Sequence, residues 1–250
     1  NPTSRLDPID KFMRKNTPED SIVVEANWRD NKYFPKPLQE DMERDRQVDP
    51  VKASHIWDGD YQSVTGGSYY SQLLLDCKIQ GRITEVDFEP ELPVYVSWDL
   101  GIGDSMSLVL WQQTPISLRI IDHYENHSQP LPHYIDWLQS KEYEGNYEID
   151  WLPHDAKARE LGTGLTRVET MRQYRSKINP EAERRNPKVI PNHRIEDGIN
   201  AVRELLPQMW FDAEKCEYLL ECLAQYREDY SSKLLTLTSK PLHDWTSHSA

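Results

Sequence analysis

The sequence predicts an α/β protein built on a mixed sheet. Three observations carry that expectation: three strand-like runs follow one another across two tight connections, a fourth comes after a single helical stretch, and amphipathic helices occupy most of what remains. In ELPVYVSWDL, Pro93 opens the first run, and Val94, Tyr95 and Val96 give it the β-branched and aromatic enrichment of a buried strand. GIGDS then turns the chain into MSLVLWQQ (106–113), and Thr114-Pro115 turns it again into SLRIIDHY (117–124). Connections this short make the three runs antiparallel neighbours.

A helix is expected over 131–141, opened by a proline pair and carrying Tyr134, Trp137 and Leu138 on one face. YEIDWLP (147–153) supplies the fourth strand. Helical stretches are expected at 165–175, 195–206 and 213–230, with a short fifth strand in NPKVIPN between the first two. KLLTLT (233–238) reads as a last extended segment ahead of PLHDWTSHSA, which has helix-opening character. The first 60 residues differ: they are rich in charge, Pro, Asp and Asn, with one strand-like run, SIVVEA (21–26), and one amphipathic helix over 37–47. A Gly-Gly turn in VTGGSYYSQ (64–72) marks a boundary.

Composition narrows the function classes. A hydrophobic fraction of 37% and a charged fraction of 28% describe a soluble globular chain, and no apolar run approaches the ~20 residues of a membrane span. No signal or transit peptide is visible. Cys77, Cys216 and Cys222 match no zinc spacing and read as reduced, buried thiols. A net charge of −13 argues against a surface that binds nucleic acid throughout. Residues 156–190 stand apart, with 9 basic and 4 acidic side chains; they form either a solvated helix face or an anion-facing patch.

Several acidic residues fall where a regular element stops. Asp99 ends the first strand and precedes the glycine-punctuated turn that holds Asp104, Asp155 follows the fourth strand, and Asp244 precedes the terminal segment. Alone, each could begin a turn or cap a helix. Strand ends of open α/β sheets are nevertheless where ligands collect. Three carboxylates held together would repel one another unless a cation intervened, and hard oxygen ligands suit Mg²⁺ or Mn²⁺.

The runs VSWDLGIGDSMSLVLWQ, LPHDAKARELGTG, EDGINAVRELL and PLHDWTSHSA, in that order, resemble the nuclease domain of the large terminase subunit of tailed bacteriophages. That subunit is the motor that cuts concatemeric DNA and drives it into a procapsid. The resemblance spans about residues 60–250 and implies an RNase H-like nuclease fold, a central mixed sheet flanked by helices, for residues 61–250. It implies a catalytic, metal-binding triad of Asp99, Asp155 and Asp244 holding two Mg²⁺ or Mn²⁺ ions, with Asp99 bridging and Asp104 a further metal position. On the same resemblance, His154, His243 and His248 would orient carboxylates or contact phosphate. The basic run of Lys157, Arg159, Arg167, Arg172 and Arg175, continued by Lys177, Arg184, Arg185 and Lys188, would track the DNA backbone.

NPTSRLDPIDKFMRK, SIVVEANWRDNKYFP and HIWDGDY are similar to the tail of the terminase ATPase domain and its linker, so residues 1–60 are expected to be a remnant of that domain, and the chain an excised fragment. No G-x-x-x-x-G-K-[ST] loop occurs in the sequence, and no ATPase activity is expected of it. The implied activity is that of an endonuclease on double-stranded DNA during genome packaging, with the portal protein and the small terminase subunit as partners and no membrane. Its expected place is the portal vertex of the procapsid in the host cytoplasm. Two rivals remain: another RNase H-like nuclease of the resolvase or integrase type, and a non-catalytic module that docks on the portal.

Overall fold

The runs read as strands become the centre of one seven-stranded sheet. The computed structural model describes residues 10, 17–24, 26–48, 53–59, 67–101, 105–159, 164–231 and 236–250. In chain order the elements are α1 (Lys36–Val48), α2 (Ser71–Ile79), β1 (Ile83–Thr84), β2 (Val94–Asp99), β3 (Ser105–Gln113), β4 (Leu118–His127), α3 (Leu131–Gln139), β5 (Tyr147–Leu152), α4 (Arg167–Gln173), β6 (Pro187–Val189), α5 (Ile195–Leu205), β7 (Met209–Asp212), α6 (Glu217–Gln225), β8 (Glu228–Ser231) and β9 (Thr236–Pro241). Strand order in the large sheet is β1-β7-β4-β3-β2-β5-β6. As expected from their short connections, β2, β3 and β4 are antiparallel neighbours. β5 lies parallel to β2, and β6 parallel to β5.

Alternation in β2 decides which way the sheet faces. Val94, Val96 and Trp98 are buried, while Tyr95, Ser97 and Asp99 are only partly so. The buried set packs with Leu152 of β5 against Leu131, Tyr134, Ile135 and Leu138 of α3 and Met171 of α4. Inside this core sits a charge pair: Asp150 is 1% exposed, takes hydrogen bonds from Trp98 Nε1 (2.8 Å) and Arg185 Nε (2.9 Å), and ties the segment before β6 to β5. Arg185 is therefore removed from the expected DNA-tracking run: it is itself buried and committed to Asp150.

Several elements differ from the sequence reading. Residues 21–24 form no strand, and Ile22 and Val24 are exposed, because β-branched residues make a strand only where another strand pairs with them. The expected helix over 213–230 is shorter, running Glu217–Gln225 and giving way to β8. α2, β1 and β7 were not legible: β1 and β7 are two and four residues long, too short for a period-2 signal. After β9 the chain ends in turns over residues 244–249 rather than in a helix.

Packing divides the chain into two units, Asn1–Ser71 with Ala224–Leu242, and Gln72–Leu223 with His243–Ala250. In the first, β8 pairs antiparallel with β9. Tyr70 stacks on Tyr226 at 6.0 Å, and Asp58 takes hydrogen bonds from Trp28, Arg29 and Arg46. The second unit contains the whole seven-stranded sheet. Among the described residues, no helix is long and apolar enough to cross a membrane, and the three cysteines are free and buried.

Candidate active site

Asp99 is the last residue of β2. On the neighbouring parallel strand β5, Trp151 pairs with Ser97, and the chain then turns at Pro153 into a short 3-10 segment, His154–Lys157, that carries Asp155. Adjacent parallel strands end at the same edge of a sheet, so both carboxylates stand at its C-terminal edge. Asp99 feels the charge of Asp155. Asp99 has a side chain 46% exposed, yet desolvation by the surrounding protein raises its carboxyl above the usual value, and the charge of Asp155 adds to the rise. His248 opposes it, donating from Nδ1 to Asp99 Oδ2 at 2.9 Å.

Asp155 is held differently. Its Oδ2 accepts from Arg167 at 3.4 Å. The Arg167 side chain is only 10% exposed while that of Asp155 is 51% exposed, so the cation is the fixed partner. Arg167 is placed by the start of α4, where Thr166 and Glu169 form a capping box with hydrogen bonds of 3.1 and 2.8 Å. Arg167 is thus paired with Asp155 at the C-terminal edge of β5.

The third expected corner, Asp244, is engaged within its own turn. Asp244 Oδ1 accepts from Thr246 N (2.9 Å) and Thr246 Oγ1 (2.6 Å), which makes it the cap of the terminal turn. The terminal residue that reaches Asp99 is His248, whose ring lies 5.5 Å from that of His243. Among the described residues, no three His, Cys, Asp or Glu side chains are grouped to hold a metal ion. Asp104 lies outside the described residues. The donor chemistry of Asp99 and Asp155 still fits a hard divalent cation, which takes one or two carboxylates and keeps several waters. A cation there would also offset the desolvation and the Asp155 charge that raise Asp99.

Sequence reasoning missed a polar group beside this pair. Ser107 of β3 and His123 and Glu125 of β4 meet Ser249, with Ser249 Oγ 2.8 Å from both Ser107 Oγ and His123 Nε2. His123 and Glu125, polar residues two apart on one face of the strand-like run, were the available signal. Burial pushes His123 down to about 4. The folded protein keeps this ring neutral, whereas the unfolded chain takes a proton near 6.5. Its contribution is therefore complete above pH 6.5 and lost as pH falls toward 4, a loss on the order of 3 kcal/mol. Urea unfolding at pH 7.5 and pH 5 should show it, and His123→Gln should flatten the difference.

No protein-family model matches the sequence, and no curated protein does. Solved structures do match. The large terminase of a thermophilic bacteriophage superposes with a TM-score of 0.53 at 15% identity, over 89% of this chain and 50% of that one. A second crystal form of the same protein gives 0.50 at 15% identity over 90% and 52%, and its complex with ATP-gamma-S gives 0.50 at 17% over 90% and 52%.

The chain has a large-terminase fold.

It spans about half the length of the terminase structures it matches. The RNase H-like arrangement expected from the sequence resemblance, a mixed sheet with helices against it, is the arrangement observed. On this terminase fold the remaining basic residues divide by position. Lys157, Arg172 and Lys188 line one groove of about 620 Å³ with Thr166 and Val189, next to the turn that carries Asp155. Arg159 and Arg175 are exposed and bond to the carbonyls of Gly164 and Pro180.

Proposed function

We propose that the chain carries the divalent-metal-dependent endonuclease of a large terminase, cutting concatemeric double-stranded DNA during genome packaging. The observation that carries this reading is the pair Asp99 and Asp155 at the ends of adjacent parallel strands. Asp99 and Asp155 would hold Mg²⁺ or Mn²⁺, with Asp244 and Asp104 as further ligands. When bound, such ions lower the pKa of an attacking water and stabilise the leaving oxygen of a phosphodiester. The chain's own residues prepare the place for that chemistry. His248 restricts the rotation of the Asp99 carboxylate, and Arg167 fixes that of Asp155.

The groove of Lys157, Arg172 and Lys188 would hold the DNA backbone, while the acidic remainder of the surface repels stray contact. In the same proposal residues 61–250 are the nuclease domain, residues 1–60 are the tail of an ATPase domain with its linker, and the portal and small terminase subunit are partners at the procapsid. Incubating supercoiled plasmid with the protein tests the activity: nicking with Mg²⁺ or Mn²⁺ and none with EDTA is expected. No nicking under either metal, with the protein folded, sinks the nuclease reading. Replacing Lys157, Arg172 and Lys188 by Ala should weaken DNA binding. It should also make the dependence of log affinity on log salt shallower, by roughly 0.9 for each phosphate that is no longer neutralised, as measured by titration over a salt series.

A further inference from the structure

Residues 243–250, at the end of the chain, are held to the sheet by hydrogen bonds. Their two buried side chains are Thr246 and Ser249, both polar, at 1% and 7% exposure. Thr246 is turned inward on Asp244. Ser249 is the residue that reaches the sheet.

The place it reaches is prepared by strand register. Asp99 pairs with Ser107 across β2 and β3, and Ser107 pairs with Glu125 across β3 and β4, so the three lie in one row across the strand ends and on one face. His123, two residues before Glu125, shares that face. Ser249 Oγ donates to Glu125 Oε2 and sits 2.8 Å from Ser107 Oγ and 2.8 Å from His123 Nε2. A hydroxyl has one donor and two acceptor positions, and this arrangement fills all three. Tyr218 closes the side, stacked on His123 at 5.8 Å and donating to Glu125 Oε1 at 3.3 Å, with Trp245 edge-on to it at 6.0 Å. Ser107 and His123 are 2% and 8% exposed.

We propose that Ser107, His123 and Glu125 form a polar socket for Ser249 that sets the neighbouring His248 on Asp99, making them positioning residues of the acidic site. A saturated buried network of this kind is directional: an apolar plug of the same size would hold the chain down without fixing which way it points. With Ser249 seated, the next residue back has little choice. His248 Nδ1 arrives 2.9 Å from Asp99 Oδ2.

This role rests on the nuclease reading for its effect on cleavage, but its structural part is measured without it. Ser249→Ala in the full 250-residue chain should speed amide exchange over residues 243–250 by at least about tenfold, because two buried polar groups, Ser107 and His123, and the half-buried Glu125 lose their common partner. It should also shift the Nδ1 resonance of His248 in ¹⁵N-labelled protein. Plasmid nicking should fall at least about tenfold in kcat with KM for DNA unchanged, since the substitution touches no residue that binds DNA. Glu125→Gln keeps an acceptor for Ser249 and should stay near the parent in all three readouts, whereas Glu125→Ala should behave as Ser249→Ala. Unchanged exchange and an unchanged His248 resonance in Ser249→Ala overturn the socket, whatever the protein does to DNA. Faster exchange with full kcat in an active protein overturns its positioning role. A parent protein that never cleaves defeats the nuclease reading alone, and the exchange and resonance data still judge the socket.

Discussion

Asp99→Ala and Asp155→Ala are each expected to lower metal-dependent plasmid nicking by at least about a hundredfold, with the unfolding midpoint of Asp99→Ala unchanged or slightly raised. For Asp99 the two halves of that expectation have one cause. Burial raises the Asp99 carboxyl and the Asp155 charge raises it further, so Asp99 is held at a cost that its removal relieves, whereas Asp155→Ala also leaves Arg167, whose side chain is 10% exposed, without that carboxylate. Residues kept against stability in this way are what a site for a cation needs. Asp244→Ala should read differently. It takes away the acceptor of two hydrogen bonds from Thr246 as well as a proposed ligand, so activity and thermal midpoint should fall together, by about 1 kcal/mol for the cap. Steady-state nicking and thermal unfolding of the three variants separate these cases. Full cleavage by Asp99→Ala would place the chemistry elsewhere.

Arg185→Leu should cost about 3 to 5 kcal/mol, the largest stability loss expected of a single substitution here. Asp150, at 1% exposure, would lose the guanidinium that pairs with it and retain the hydrogen bond from Trp98 Nε1. Removing both charges, as in Asp150→Asn with Arg185→Met, should return most of that loss, since a neutral pair of similar size carries no charge-desolvation penalty. Denaturant unfolding of the single and double variants measures the difference. A single-variant loss under about 1 kcal/mol would show that the pair is not desolvated. The link to the site is short: Trp98, which donates to Asp150, precedes Asp99 on β2, so loosening this pair should also reduce nicking before the protein unfolds.

Much of this was legible from local pattern. The buried alternation of Val94, Val96 and Trp98, the short turns between β2, β3 and β4, and the apolar face of α3 each follow from residues close together in the chain. Asp99 and Asp155 could be placed because each closely follows a strand-like run, and strands have recognisable ends. Arg185 and Arg167 make contacts that were illegible for the opposite reason. A count of charge along the chain treats all cations alike, and only the fold shows that one is buried against Asp150 and the other against Asp155. SIVVEA had the composition of a strand, and over its described residues, 21–24 and 26, no strand forms.

The terminal decapeptide shows where local pattern stops. PLHDWTSHSA entered the sequence reading through Asp244 and the terminase resemblance, while the sequence by itself determined the α/β class, the antiparallel centre of the sheet and the two carboxylates at its edge. Tertiary structure alone decided that His248 meets Asp99, that Asp244 caps its own turn, and that Ser249 closes on Ser107, His123 and Glu125. The physical reason is separation. Periodicity records which face of an element turns from water, but a buried polar group is satisfied by whichever partner the fold delivers, and His123 and Ser249 are 126 positions apart.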